Sequence, residues 1–289
     1  MSAASPPGPL QELGRFLEIQ NLGLNLPFAL AFLLLAADGL PSLRVLVLVI
    51  VAFVAARNAG HSFNRWTDRA FDAANPRTRD RALPAGRFPP SWALVVTAVS
   101  AAVVVGVAYL LNPLALVLAP IALALILGYS YSKRVTPFTT VVLGLVQSMT
   151  PAAAFVAVQG ELPLAALVTA GAILCWGTAF ETVHSLGDLD SDRALGLRSL
   201  PLSLGTEASI RLVVGLHAVA MALLTVGGLL LHVAAPYFFA LAAMALVVAA
   251  TDIGFARQPT EPRVPFQRHF VLSALFLAGV AVALFVPGL

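Results

Sequence analysis

The sequence predicts an all-α membrane protein with about nine transmembrane helices. Three observations predict it. Of 289 residues, 59% are apolar and 11% charged, with a mean hydropathy of +0.90; a soluble domain carries about 25% charged residues, so this chain has too few polar side chains to cover itself in water. The apolar residues fall in repeated blocks of about 20, the length a helix needs to cross a hydrocarbon core about 30 Å thick. The basic residues, finally, are segregated to one set of connections. This composition excludes a soluble enzyme, a disulfide-stapled secreted module and, despite a sequence pI of about 9.5, a nucleic-acid binder. The only cysteine, Cys175, lies inside an apolar block and reads as a small core residue.

In chain order the blocks run Phe16–Ala37, Leu43–Phe63, Trp92–Leu111, Leu114–Tyr131, Thr140–Val158, Leu164–Val183, Ile210–Leu231, Ala234–Phe255 and Phe266–Val286. Pro41, Pro113, Pro163 and Pro236 fall at the short joints, where a missing N–H costs little, so alternate pairs of spans are joined as tight hairpins. The remaining connections, Asn64–Ser91, Ser132–Thr139, His184–Ser209 and Ala256–Gln267, are long and polar. Twelve of the 17 Lys and Arg residues lie in them, and Arg15, Arg211 and Arg268 flank spans on the same side; Arg44 is near the other side and Arg57 inside a span. That bias places the amino terminus and the long loops in the cytoplasm and the carboxyl terminus outside, in the cell membrane. Met1–Pro9 has no basic region and no small-residue cleavage site follows, so no removable signal peptide is expected.

An internal echo suggests duplication. Asp68 and Asp72, spaced D-x-x-x-D, are followed by Arg81, Leu83 and Pro84; Asp188 and Asp192 repeat the spacing and are followed by Arg198, Leu200 and Pro201. Each set follows a span at its loop end, which predicts pseudo-repeat halves near 10–135 and 136–289 of one membrane domain.

Asn64, Asp68 and Asp72 recur at steps of four, so on a helix continuing out of the second span they form one stripe. Like charges at that spacing repel. A hard divalent cation such as Mg2+ would hold them, because it takes oxygen ligands from one or two carboxylates together with phosphate oxygens. A solvated helix at the membrane surface would explain one such stripe, and two equivalent ones favour the metal. Arg65, Arg69, Arg77, Arg79, Arg81, Arg193 and Arg198 surround the acids; some serve only the positive-inside bias, yet arginine is also the best bidentate partner of phosphate oxygens. Lys133, the only lysine, and Arg134 end the fourth span, either snorkelling to the interface or clamping phosphate. Arg57, His61, Glu181 and His184 belong to span ends, and intramembrane ionisable groups suggest either mutual pairing or contact with a substrate. Asp252 and His217 are weaker candidates of the same kind and read as interfacial or bundle-packing residues.

These residues resemble the UbiA superfamily of intramembrane aromatic prenyltransferases. Its N-x-x-x-D-x-x-x-D motif is matched by Asn64, Asp68 and Asp72, and the following R-T-x-x-R-x-L-P-x-G tail by Arg77, Thr78, Arg81, Leu83, Pro84 and Gly86. Asp188 and Asp192 match its second D-x-x-x-D, and Tyr129 with Lys133 match the Y-x-x-x-K element between them. The resemblance implies two four-helix halves plus one helix around a central cavity with a cytoplasmic cap. Residues 63–65, 72–78, 192–193 and 196–201 look like the 4-hydroxybenzoate polyprenyltransferase-like enzymes linked to menaquinone synthesis through futalosine; position 65 is Arg where ubiquinone-pathway enzymes usually have Asp.

On this resemblance the expected reaction moves a polyprenyl group from a polyprenyl diphosphate to an aromatic acid, 4-hydroxybenzoate or a dihydroxynaphthoate, in respiratory quinone biosynthesis. Mg2+ would be held by Asn64, Asp68, Asp72, Asp188 and Asp192. Arg79, Arg81, Tyr129, Lys133, Arg134 and Arg198 would bind the diphosphate, Arg57, His61 and His184 the acceptor, and Asp190 or Glu181 would receive the ring proton. The expected partners are these substrates and the lipid bilayer, with no nucleic acid and no protein partner. The other readings are a secondary transporter, whose site would lie near the bilayer midplane, and a CDP-alcohol phosphatidyltransferase-like enzyme, which would need both aspartate pairs within one stretch.

Overall fold

The structure, a computed structural model, describes residues 22–75, 78–257 and 263–286, together with Glu12, Gly14, Phe16 and Leu17. Its described residues contain helices and no strand. The helices are α1 (Leu22–Ala37), α2 (Leu43–Ala74), α3 (Pro90–Leu111), α4 (Pro113–Gly128), α5 (Ser132–Val135), α6 (Thr139–Gln159), α7 (Leu164–Gly187), α8 (Leu189–Ala194), α9 (Leu200–Leu204), α10 (Thr206–Leu230), α11 (Ala235–Arg257) and α12 (Arg263–Phe285). Among the described residues eight segments are long and apolar enough to cross a membrane, and α1 adds a shorter apolar helix, so the expected multi-pass bundle is present.

Local sequence sets the ends of these helices. Ser42 caps α2 by accepting from the Val45 amide. With 32 residues, about 48 Å at 1.5 Å per residue, α2 is longer than a bilayer core; its last turns carry the first acidic stripe past the apolar block. Asn112 ends α3 and caps α4 through its side-chain oxygen, with Pro113 at the first helical position, and thereby makes the α3–α4 hairpin. The α6–α7 joint opens with Gly160 in the left-handed conformation, φ 72°.

Helices α1, α6, α7, α10, α11 and α12 pack in a closed ring, each against the next, with α12 returning to α1. Phe32, Phe155, Leu224, Tyr237, Met244 and Phe276 fill its interior; the Tyr237 hydroxyl is satisfied by the Leu224 carbonyl at 2.7 Å. Helices α2, α3 and α4 form a second group, joined to the ring mainly where α4 meets α6. The outer surface exposes Val99, Val117, Leu167, Phe239 and Leu246, a belt suited to lipid. Between the two groups lies a cavity.

Candidate functional site

The cavity has a volume of about 920 Å³ and is walled by α1, α2, α3, α4, α6 and α7, with His269 of α12. Along α2 a stripe at helical spacing faces it: Arg57, His61, Asn64, Asp68, Asp72 and, at the cap, Asn75. Asp188 and Asp192 reach the same wall from α7 and α8. The two acidic pairs, 120 residues apart in sequence, therefore meet at one end of one chamber. Further along, the wall is apolar, with Val104, Leu111, Leu118 and Val156.

The polar end is assembled by short-range turns. After α2, Thr78 Oγ1 bonds the Asp72 carbonyl and the Arg81 amide bonds the Thr78 carbonyl, which folds the chain back on the helix end. Arg81 then places one nitrogen, Nη1, 3.0 Å from both oxygens of the buried Asp72 carboxylate. Its other nitrogens make no hydrogen bond among the described residues. Asn64 Nδ2 donates to Asp68 Oδ2 at 2.9 Å. Tyr129–Tyr131 tighten into a 3₁₀ turn that leads into α5, with Ser132 Oγ on the Tyr129 carbonyl. That turn brings Lys133 to the wall and sets Arg134 on the Thr67 carbonyl at 2.7 Å and on Asp68 Oδ1 at 3.3 Å, stacked on Phe71 and Tyr131.

The second acidic pair does not continue a helix as the first does. The α7 helix stops at Gly187, Asp188 turns the chain, and the Asp192 amide bonds the Asp188 carbonyl as α8 begins. A cross-loop bond, Asn75 Nδ2 to Ser191 Oγ at 3.1 Å, ties the end of α2 to α8.

Deeper in the cavity, Arg57 donates to the Leu17 carbonyl at 2.7 Å, Glu181 accepts from Gln147 at 2.9 Å, and His184 Nδ1 lies 2.9 Å from the Phe180 carbonyl. His61, Tyr129, Glu181 and His184 all line the same wall. Arg65 is buried there, over the Phe16 ring.

Three expected residues are placed elsewhere. Asp190 projects fully into solvent and pairs with Arg193 at 3.6 Å, because the helix break at Asp188 turns it away from the wall; it is not positioned to take a ring proton. Arg79 is exposed and off the wall. Arg198 is also exposed, and its guanidinium and amide hold the carbonyls of Val135 and Lys133, so it braces the turn that carries Lys133. Arg77 of the sequence motif lies outside the described residues. Gln147, Trp176, Phe180 and His269 line the cavity without having been singled out from sequence; Gln147, Trp176 and Phe180 carry no charge, whereas His269 is an ionisable group inside the last span, the signal that marked His61 and His184. His217 and Asp252, expected to be interfacial or packing residues, pair across helices, with Asp252 buried and His217 partly so and Nδ1 3.0 Å from both carboxylate oxygens, behind the Trp176–His269 wall.

Chemically, the polar end offers five oxygen-bearing side chains, Asn64, Asp68, Asp72, Asp188 and Asp192, with three cations among them. Hard oxygen donors suit a magnesium ion. Among the described residues no three acidic, imidazole or thiol groups converge on one point.

Comparison with known proteins agrees with this geometry. The model of the UbiA prenyltransferase family matches residues 25–273. A protein named 4-hydroxybenzoate octaprenyltransferase from Aeromonas hydrophila is 33% identical over 249 residues, 86% of each chain. One of the same name from Alkalilimnicola ehrlichii is 34% identical over 216 residues, 74% of this chain and 73% of that one. Among solved structures, the apo form of a UbiA homolog from Aeropyrum pernix K1 superposes with a TM-score of 0.83 at 30% identity, covering 91% of this chain and 98% of the other. A UbiA homolog from Archaeoglobus fulgidus, bound to GPP and Mg2+, shares the fold with a TM-score of 0.68 at 19% identity, over 95% of this chain and all of the other.

Proposed function

The chain belongs to the UbiA prenyltransferase family, and from that premise we propose that it transfers a polyprenyl group from a polyprenyl diphosphate to the ring of an aromatic acid in respiratory quinone biosynthesis. The observation that carries the reading is the meeting of two acidic pairs with Arg81, Lys133 and Arg134 at one end of an otherwise apolar chamber. A diphosphate suits the charged end and a prenyl chain the apolar one. Transport and CDP-alcohol chemistry are set aside by the family membership and by the distance between the acidic pairs in sequence.

Asn64, Asp68, Asp72, Asp188 and Asp192 would hold Mg2+, as the Mg2+-bound structural neighbour suggests; when bound it supplies charge neutralisation for the departing diphosphate. Arg81 uses Nη1 for Asp72 and keeps its other donors for phosphate oxygens. Arg134, held on Asp68 and between two rings, and Lys133, braced by Arg198, present the neighbouring charges. As the carbon–oxygen bond breaks, its electron pair leaves with the diphosphate. The apolar walls keep water from the allylic cation while a ring carbon attacks it. In this reading Arg57 would receive the acceptor's carboxylate, with His61 and His184 lining the same cavity, and Glu181 would receive the proton that the ring loses.

We place the charged end and the long loops on the cytoplasmic side of the cell membrane, with the carboxyl terminus outside, on the distribution of Lys and Arg. One acidic pair then belongs to each proposed half, 10–135 and 136–289. The names of the relatives favour 4-hydroxybenzoate as acceptor; a dihydroxynaphthoate is the second reading, from residues 63–65, 72–78, 192–193 and 196–201. The test is diphosphate release by purified protein with magnesium, a long-chain prenyl diphosphate and each acid. Asp68→Ala and Asp188→Ala should each abolish it, and unchanged turnover in either variant would sink the assignment.

A further inference from the structure

Gln147 and Glu181 belong to no sequence motif, yet they face one cavity from adjacent helices, and Gln147 Nε2 donates to Glu181 Oε1 at 2.9 Å. Two glycines make that reach possible. Gly144 lies one turn before Gln147 on α6, and Gly177 one turn before Glu181 on α7. A Cβ at Gly144 would stand 2.7 Å from the Leu174 carbonyl oxygen, so the helix backbones are in contact there. A Cβ at Gly177 would stand 2.6 Å from Gln147 Oε1 and 3.0 Å from its Cδ. The missing side chain at 177 is thus the notch in which the Gln147 amide lies. Small residues at membrane-helix interfaces allow polar side chains to bond across them in this way.

The amide fixes one oxygen of Glu181, and Glu181 makes no other hydrogen bond among the described residues. We propose that Gln147 is a positioning residue that turns the second Glu181 oxygen toward the acceptor's ring hydroxyl, so that the pair selects hydroxylated rings. This rests on the aromatic-transfer reading. A hydroxyl donating to Glu181 sets the ring carbon beside it, the one that loses its proton, next to the same carboxylate. The acceptor's acid end is repelled by Glu181 and drawn to Arg57, which fixes its orientation.

The test compares 4-hydroxybenzoate with 4-methoxybenzoate, whose ring is activated but has no proton to donate. In Gln147→Leu the preference in kcat/KM for the hydroxyl compound should fall by at least about tenfold, while KM for the prenyl diphosphate stays within about twofold. Gly177→Ala keeps every polar group but fills the notch, and should reproduce the loss; the double variant should lose no more than either single one, because both remove one interaction. An unchanged preference in both variants of an active enzyme overturns this inference alone. Wild-type protein that prenylates neither acid overturns the proposed function and this inference with it.

Discussion

Arg81 offers the sharpest perturbation of the charged end. One of its nitrogens serves both oxygens of Asp72 at 3.0 Å, and the pair's side chains are 31% and 10% exposed. Hydrogen bonds to charged groups contribute about 1.5–3 kcal/mol; with a third of the arginine in solvent, screening brings the static contribution to about 1 kcal/mol. Arg81→Ala should therefore lower stability only slightly. Its larger effect falls on substrate. Losing the guanidinium donors not used by Asp72 should lower kcat/KM for the prenyl diphosphate by about tenfold to a hundredfold, or about 1.4–2.8 kcal/mol. Arg81→Lys should lie between, since one ammonium cannot present a planar fork to a carboxylate and a phosphate at once. The assay is steady-state diphosphate release at saturating acceptor, beside a thermal melt in the same detergent. An Arg81→Ala enzyme within about twofold of wild type in kcat/KM would refute the bridging role.

Other consequences follow from packing and donor chemistry. Gly144→Leu forces α6 from α7, where even a Cβ would stand 2.7 Å and 2.9 Å from backbone atoms, and should cost at least about 1–3 kcal/mol, read as a lower unfolding midpoint; an unshifted midpoint would contradict the close approach. His217→Leu leaves the buried Asp252 without its partner and should cost about 3–5 kcal/mol, whereas His217→Leu with Asp252→Leu should recover most of it. Chelation by EDTA should stop turnover and excess magnesium should restore it; turnover that survives chelation would count against the metal role of the five oxygen-bearing residues.

The fold and the first acidic stripe were legible in the sequence because both depend on short periods. Blocks of apolar residues give spans, and Asn64, Asp68 and Asp72 on one uninterrupted helix must share a face. The second pair was legible only as a motif. Its geometry depends on the stop at Gly187, which turns Asp190 to solvent, and spacing alone does not report that break. Arg79 and Arg198 look like phosphate ligands in a list of charges, but loop turns leave them outside the cavity. Gln147 with Glu181 and His217 with Asp252 pair across helices, 34 and 35 residues apart. Such pairings depend on which helix packs on which, and close contact at Gly144 and Gly177 is visible only once α6 and α7 are placed.

The proposed function is that one chamber joins a prenyl group to an aromatic acid. Its most direct test is mass spectrometry of the product made by purified protein in lipid vesicles from 4-hydroxybenzoate, a long-chain prenyl diphosphate and magnesium. The account predicts a carbon-linked adduct heavier than the acid by the prenyl group less one hydrogen, absent in Asp68→Ala and in Asp188→Ala. An intact acid beside consumed prenyl diphosphate, or an adduct formed equally by either variant, would contradict it.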